Sequence, residues 1–103
     1  MAVTDALWGG QLTSVNLDPV THSCELVVVV TTGGTRTEHH IRCDQVSTFH
    51  FQNSIAEPWD YAEVTEAELA TDDVSGLQTL ELMLWSERSG LTVTGTSIQV
   101  VAG

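Results

Sequence analysis

An all-β fold is what this sequence predicts, and three observations carry the prediction. The stretch 77–85 (LQTLELMLW) alternates from Leu80 on, with Leu80, Leu82 and Leu84 on one side and Glu81, Met83 and Trp85 on the other. That is the period of a half-buried strand. The diglycine Gly33-Gly34 separates two β-prone runs, and glycine accepts the positive φ of a two-residue hairpin turn. Only the window 60–70 has a composition that favours helix. The expected architecture is an antiparallel β-sandwich of about seven or eight strands, mostly hairpin-connected, in a single domain spanning residues 1–103.

Taken in order, the elements begin at QLTSVNLD, where Val15 and Leu17 alternate with polar residues. Asp18-Pro19 then starts a turn, because proline presets φ and aspartate can accept from the backbone ahead of it. The next run, CELVVVVTT, has four valines in a row, which predicts a strand covered on both faces in the middle of a sheet. Across Gly33-Gly34 it returns as TRTEHHIRC. A two-residue loop there fixes the register. Val30 then faces Thr37, Val28 faces His39, Leu26 faces Ile41 and Cys24 faces Cys43, while on the other side Glu25 meets Arg42 and Val27 meets His40.

After Cys43 the apolar positions lose phase at Asp44-Gln45, so a bulge or tight bend is expected before a new strand through Val46, Phe49 and Phe51. In the connection NSIAEPWD, Pro58 bars regular helix through Ala56 and Glu57 and makes Trp59 a candidate lid on the core. The segment DYAEVTEAELA fits neither period well. A helix would align Trp59, Ala62, Glu66 and Leu69 and so place an acid on the apolar stripe, whereas an edge strand blunted by its own acids has no such conflict. Strand is therefore the expectation. Asp72-Asp73 and Ser75-Gly76 turn the chain into the 77–85 stretch, and the polar run Ser86–Gly90 turns it again into LTVTGTSIQVV. There Leu91, Val93, Ile98 and Val100 take inner positions and Gly95 marks a bulge or bend.

Fourteen acids stand against Arg36, Arg42 and Arg88 with no lysine, a net charge of −11. Such a surface repels phosphate backbones and anionic bilayers and attracts basic partners, so neither nucleic acid nor membrane is an expected partner. High acidity also serves solubility alone. No apolar window is long enough to cross a bilayer as a helix and the first residues lack a signal-peptide pattern, which points to the cytoplasm.

The densest charge is Glu57, Asp60, Glu63, Glu66, Glu68, Asp72 and Asp73, a candidate partner-binding face for a basic protein. Its spacing matches no calcium loop. His22, His39, His40 and His50 give no metal set, since neighbours on a strand point to opposite faces. No nucleophile motif or phosphate-binding glycine loop is present, so no enzyme, cofactor or metal is expected. Trp8, Trp59 and Trp85 suit the ends of a small β-core, and a sugar-stacking role is the alternative.

The succession of an LTSVNLD…CELVVVV hairpin, HIRCDQVSTFHFQN with its V-x-x-F-x-F beat at Val46 to Phe51, acidic WDYAEVTEAEL and LELMLWSERSGLTVTGTSIQVV resembles small all-β bacterial proteins. These are grouped as uncharacterised domains or as immunity proteins of polymorphic toxin systems. The resemblance spans roughly residues 11–101. It implies stoichiometric binding of a cognate toxin, often a basic nuclease, and transfers no site residue. The functional expectation is thus a non-enzymatic acidic binding protein. Its alternatives are a small-molecule or carbohydrate-binding β-domain using Trp59, Trp85 and the carboxylates, or a structural subunit of a larger assembly. Oligomeric state is left open.

Overall fold

The computed structural model describes residues 7–53, 58, 61–85 and 89–102. Expectations for Glu57, Trp59, Asp60 and Arg88 fall outside these residues. Among the described residues eight strands form, β1 Gln11–Asp18, β2 Ser23–Thr32, β3 Thr35–Asp44, β4 Thr48–Gln52, β5 Ala62–Thr71, β6 Gln78–Leu84, β7 Gly90–Gly95 and β8 Ser97–Ala102. All pairings are antiparallel. The strands make one continuous sheet in the order β4-β7-β6-β5-β1-β2-β3-β8, rather than the two sheets of the expected β-sandwich. Hydrogen bonding is unbroken because β1 and β5 pair briefly, Gln11 with Glu63 and Leu12 with Ala62.

The sheet folds over so that both halves bury one core. Leu26, Ile41 and Cys43 from one half and Leu80, Leu82, Val64 and Val93 from the other belong to a single buried cluster. Two continuous stretches of chain make the bend. β3 runs into β4 through Gln45, whose φ is +49°, and β7 runs into β8 through Gly95-Thr96. Asp44 pairs with Ser97 and Thr48 with Thr94, so residues 45–47 oppose only residues 95–96. An unequal count of this kind sharpens the local bend. A Cβ on Gly95 would lie 2.6 Å from the Asp44 carbonyl oxygen, so the corner excludes any side chain there. Val46 N–H donates to the His22 carbonyl (2.7 Å) and Ser47 N–H to that of Thr94 (2.8 Å).

The β2–β3 hairpin has the register that its diglycine requires. Gly33 and Gly34 both have positive φ, +58° and +83°, and Thr32 faces Thr35, the geometry of a two-residue primed turn. Cys24 stands opposite Cys43, Leu26 opposite Ile41 and Glu25 opposite Arg42. The thiols are unbridged and almost without solvent contact, 3% and 1% exposed. A hydrogen bond to Cys24, and then burial, push the Cys43 thiol above its usual range. Outside the core, Glu25 bridges Arg42 Nε (3.4 Å) and His40 Nδ1 (3.6 Å).

Residues 62–71 are strand, but β5 lies inside the sheet between β6 and β1 rather than at its edge. Its composition matched neither period because it carries a bulge. Val64 faces Leu84 and Glu66 faces Met83, leaving Thr65 as the extra residue. The buried positions Ala62, Val64 and Ala67, with half-buried Leu69, therefore fall at intervals of two, three and two residues. Where β1 leaves β5, the segment before β1 takes its place. Gly9 N–H donates to the Val64 carbonyl and Val64 N–H to that of Gly10, both at 2.8 Å, and Trp8 Nε1 donates to Ala67 O at 3.1 Å.

Candidate functional site

The acids of β5 gather on its outer face. Alternation with buried Ala62 and Val64 turns Glu63 outward, the bulge resets the phase, and Glu66 and Glu68 then alternate outward with Ala67 and Leu69. All three are exposed. Across the β5–β6 pair, Glu68 faces Glu81 and Glu66 faces Met83. The rows continue across the sheet. Glu81 pairs with Thr92 and Thr92 with His50, while Met83 pairs with Gly90 and Gly90 with Gln52.

Gly90 leaves a notch in the second row. A Cβ there would meet the Leu82 carbonyl oxygen at 2.9 Å, so the backbone forbids a side chain where its neighbours carry one. The resulting groove of about 230 Å³ is lined by Glu66, Glu68, Glu81, His50, Gln52 and Thr92, among others. No arginine or lysine lies on β4, β5, β6 or β7. Arg36 and Arg42 are on β3, in the other half of the sheet, where Arg42 is committed to Glu25. Like charges directly opposite one another on antiparallel strands are unfavourable. This face is therefore an acidic concavity with no arginine or lysine on its own strands, His50 being the one basic side chain in its described lining. Such a concavity can accept the guanidinium or ammonium group of another molecule.

The remaining predicted site residues separate into different roles. Asp72 and Asp73 sit exposed in the β5–β6 turn. Asp72 is occupied there, since its Oδ1 accepts from Val74 N–H (2.8 Å) and Ser75 N–H (3.2 Å), and these bonds hold its carboxyl below the usual range. Glu57 and Asp60 lie outside the described residues. Glu81 and His50 join the groove although the acidic run in the sequence does not contain them. The signal for Glu81 was its outward place in the 77–85 alternation, which a hairpin register across the 72–77 turn would have set against Glu68.

Among the described residues no group of three or more His, Cys, Asp or Glu is arranged to hold a metal ion. No described helix is long and apolar enough to cross a membrane. Of the aromatics considered for sugar stacking, Trp85 packs at the margin of the core with its ring 5.4 Å from that of Tyr61, whereas Trp8 is half exposed with its indole N–H donated to Ala67 O. No family model matches this chain, and no curated protein does either.

Proposed function

We propose that this protein is a non-enzymatic binding module that takes a cationic group of a basic protein partner into the acidic groove on the outer face of β5, β6 and β7. The observation that carries the reading is the Glu68–Glu81 confrontation with Glu66 in the next row. A pair of like charges held face to face weakens the free protein by roughly 0.2–1 kcal/mol, and a bound cation reverses the sign of that interaction. Electrostatics of this kind set association rate and specificity more than affinity. The immunity-type role implied by the sequence resemblance is one form of this reading, with a basic toxin as the partner.

The test is an NMR titration of the intact chain with an oligo-arginine peptide. Amide shifts are expected at Glu66–Glu68, Glu81 and Thr92, the affinity falls with added salt, and Glu68→Gln with Glu81→Gln weakens it at least about fivefold, roughly 1 kcal/mol. Shifts centred elsewhere, or an affinity indifferent to the two substitutions, would refute the groove as the site.

A further inference from the structure

We infer that the outward edge of β1, from Val15 to Leu17, is a docking edge for an extended peptide strand of a basic partner, apolar at alternate positions. The inference stands apart from the acidic groove and rests on the backbone. In an antiparallel ladder each residue points its N–H and C=O to one neighbour or the other, in alternation. From the two-residue turn at Gly33-Gly34, the hydrogen-bonded pairs of β2–β3 are Thr32–Thr35 and every second pair after it, so Leu26 and Cys24 direct their backbone groups to Ile41 and Cys43. Their partners on the other side, Val15 and Leu17, therefore cannot bond to β2. The bonds between β1 and β2 come instead from the alternating residues, as the Thr13 hydroxyl reaching the Val27 carbonyl illustrates.

The groups of Val15 and Leu17 point to the side that β5 occupies only as far as Leu12. Among the described residues no backbone or side-chain hydrogen bond reaches them. Elsewhere the backbone that β5 presents beyond β1 is met by Gly9, Gly10 and the Trp8 indole, and on the edge strand β8 the Ile98 N–H donates to Gln78 Oε1 at 2.7 Å.

The side chains tell the same story. Val15 and Leu17 share the core-facing side of β1 with buried Leu26 and Cys24 as cross-strand neighbours, yet they are 45% and 41% exposed. Val15 lines an open cleft of about 360 Å³ whose walls include Leu12, Phe49, Phe51, Tyr61 and Leu84. A strand laid along β1 would satisfy the four backbone groups and place every second side chain in this cleft, which is how sheet-edge recognition divides affinity from specificity. The chain's net charge of −11, with Asp18 and Glu63 near the two ends of the edge, opposes a second copy and selects a segment whose intervening positions are arginine or lysine.

The experiment uses the whole chain and a short synthetic peptide alternating valine with arginine, against a peptide of the same composition in two blocks. In the free protein the Val15 and Leu17 amides should exchange quickly with solvent. The alternating peptide should protect both and bind at least about tenfold more tightly than the block peptide. Val15→Pro removes an N–H that β2 does not use, a substitution that edge strands accept, and should weaken binding about tenfold or more. Val15→Thr keeps the backbone and tests the cleft alone, with a smaller loss expected. Amides already protected in the free protein, whether by its own 53–60 segment or by a second copy, would overturn the proposal. So would equal binding of the two peptides, or Val15→Pro and Val15→Thr both binding as the wild type does. Glu68→Gln with Glu81→Gln should leave Val15 and Leu17 protection intact, which separates a failure of this edge from a failure of the acidic groove.

Discussion

Two aspartates show how much a single side chain does in this fold. Asp18 Oδ1 accepts from Val20 N–H at 2.9 Å and Thr21 N–H at 3.3 Å, and Asp72 does the same for Val74 and Ser75. Each carboxylate mimics a turn of backbone, which frees the chain to reverse. The bonds lower both pKa values, those from Val20 and Val74 most. A group whose folded pKa is depressed stabilises the fold above its unfolded value and loses that contribution as pH falls through the folded one. We therefore expect Asp18→Ala and Asp72→Ala each to lower the melting temperature at neutral pH. The gap from wild type should close as the pH falls below about 4, where the unfolded carboxyls take up protons, and on through the lower pKa values of the native ones. A gap independent of pH, followed by circular dichroism melts, would mean that the turns owe nothing to the charge. The role of Asp18 was legible in the sequence because proline follows it. For Asp72 the turn itself was legible from Asp72-Asp73 and Ser75-Gly76, but nothing set it apart from the other six acids as the one turned back on its own backbone rather than toward a partner.

Among the strands, legibility followed the strictness of the period. The β2–β3 register could be read because a diglycine favours an even-numbered hairpin loop and any such loop centred there gives the same pairing, and the β6 alternation because three leucines at every second position leave strand as the simplest solution. β5 resisted because the bulge at Thr65 breaks its phase, and the sharing of β3–β4 and β7–β8 between two halves of one sheet is a long-range fact with only Gly95 and the lost phase at Gln45 to announce it. The bulge makes a prediction about deletions. Without Thr65 the order Ala62, Glu63, Val64, Glu66, Ala67, Glu68, Leu69 alternates perfectly, so every apolar side chain keeps its face. We expect that deletion to fold with a stability change within about 1 kcal/mol. Deleting Glu68 makes Ala67 and Leu69 neighbours, turns one of them outward and displaces the Leu69–Leu80 pairing. Denaturant unfolding should then show a loss of about 2 kcal/mol or more. Equal losses from the two deletions would show that the extra residue is needed for the twist of the sheet rather than merely tolerated.

For the whole molecule the dominant electrostatic fact is imbalance. Fourteen acids and three arginines mean that most charge pairs repel, and the Arg42–Glu25 bridge, half exposed, offsets at most about 1 kcal/mol. The acidic composition was plain in the sequence, but its concentration on one face was not. That depends on the bulge phasing Glu63, Glu66 and Glu68 together and on β6 bringing Glu81 alongside. Repulsion between exposed charges fades once the Debye length shrinks to about 10 Å near 0.1 M salt. The melting temperature should therefore rise as sodium chloride is raised from about 10 mM to about 0.3 M, opposite to a fold held together by surface ion pairs. If the Glu68–Glu81 confrontation carries a disproportionate share, Glu68→Gln with Glu81→Gln should melt above wild type at low salt, by the equivalent of roughly 0.2–1 kcal/mol, and should respond less to added salt. A double variant no more stable than wild type at low ionic strength would show that the two carboxylates splay apart into water, and the groove would then have no stored repulsion for a cation to relieve.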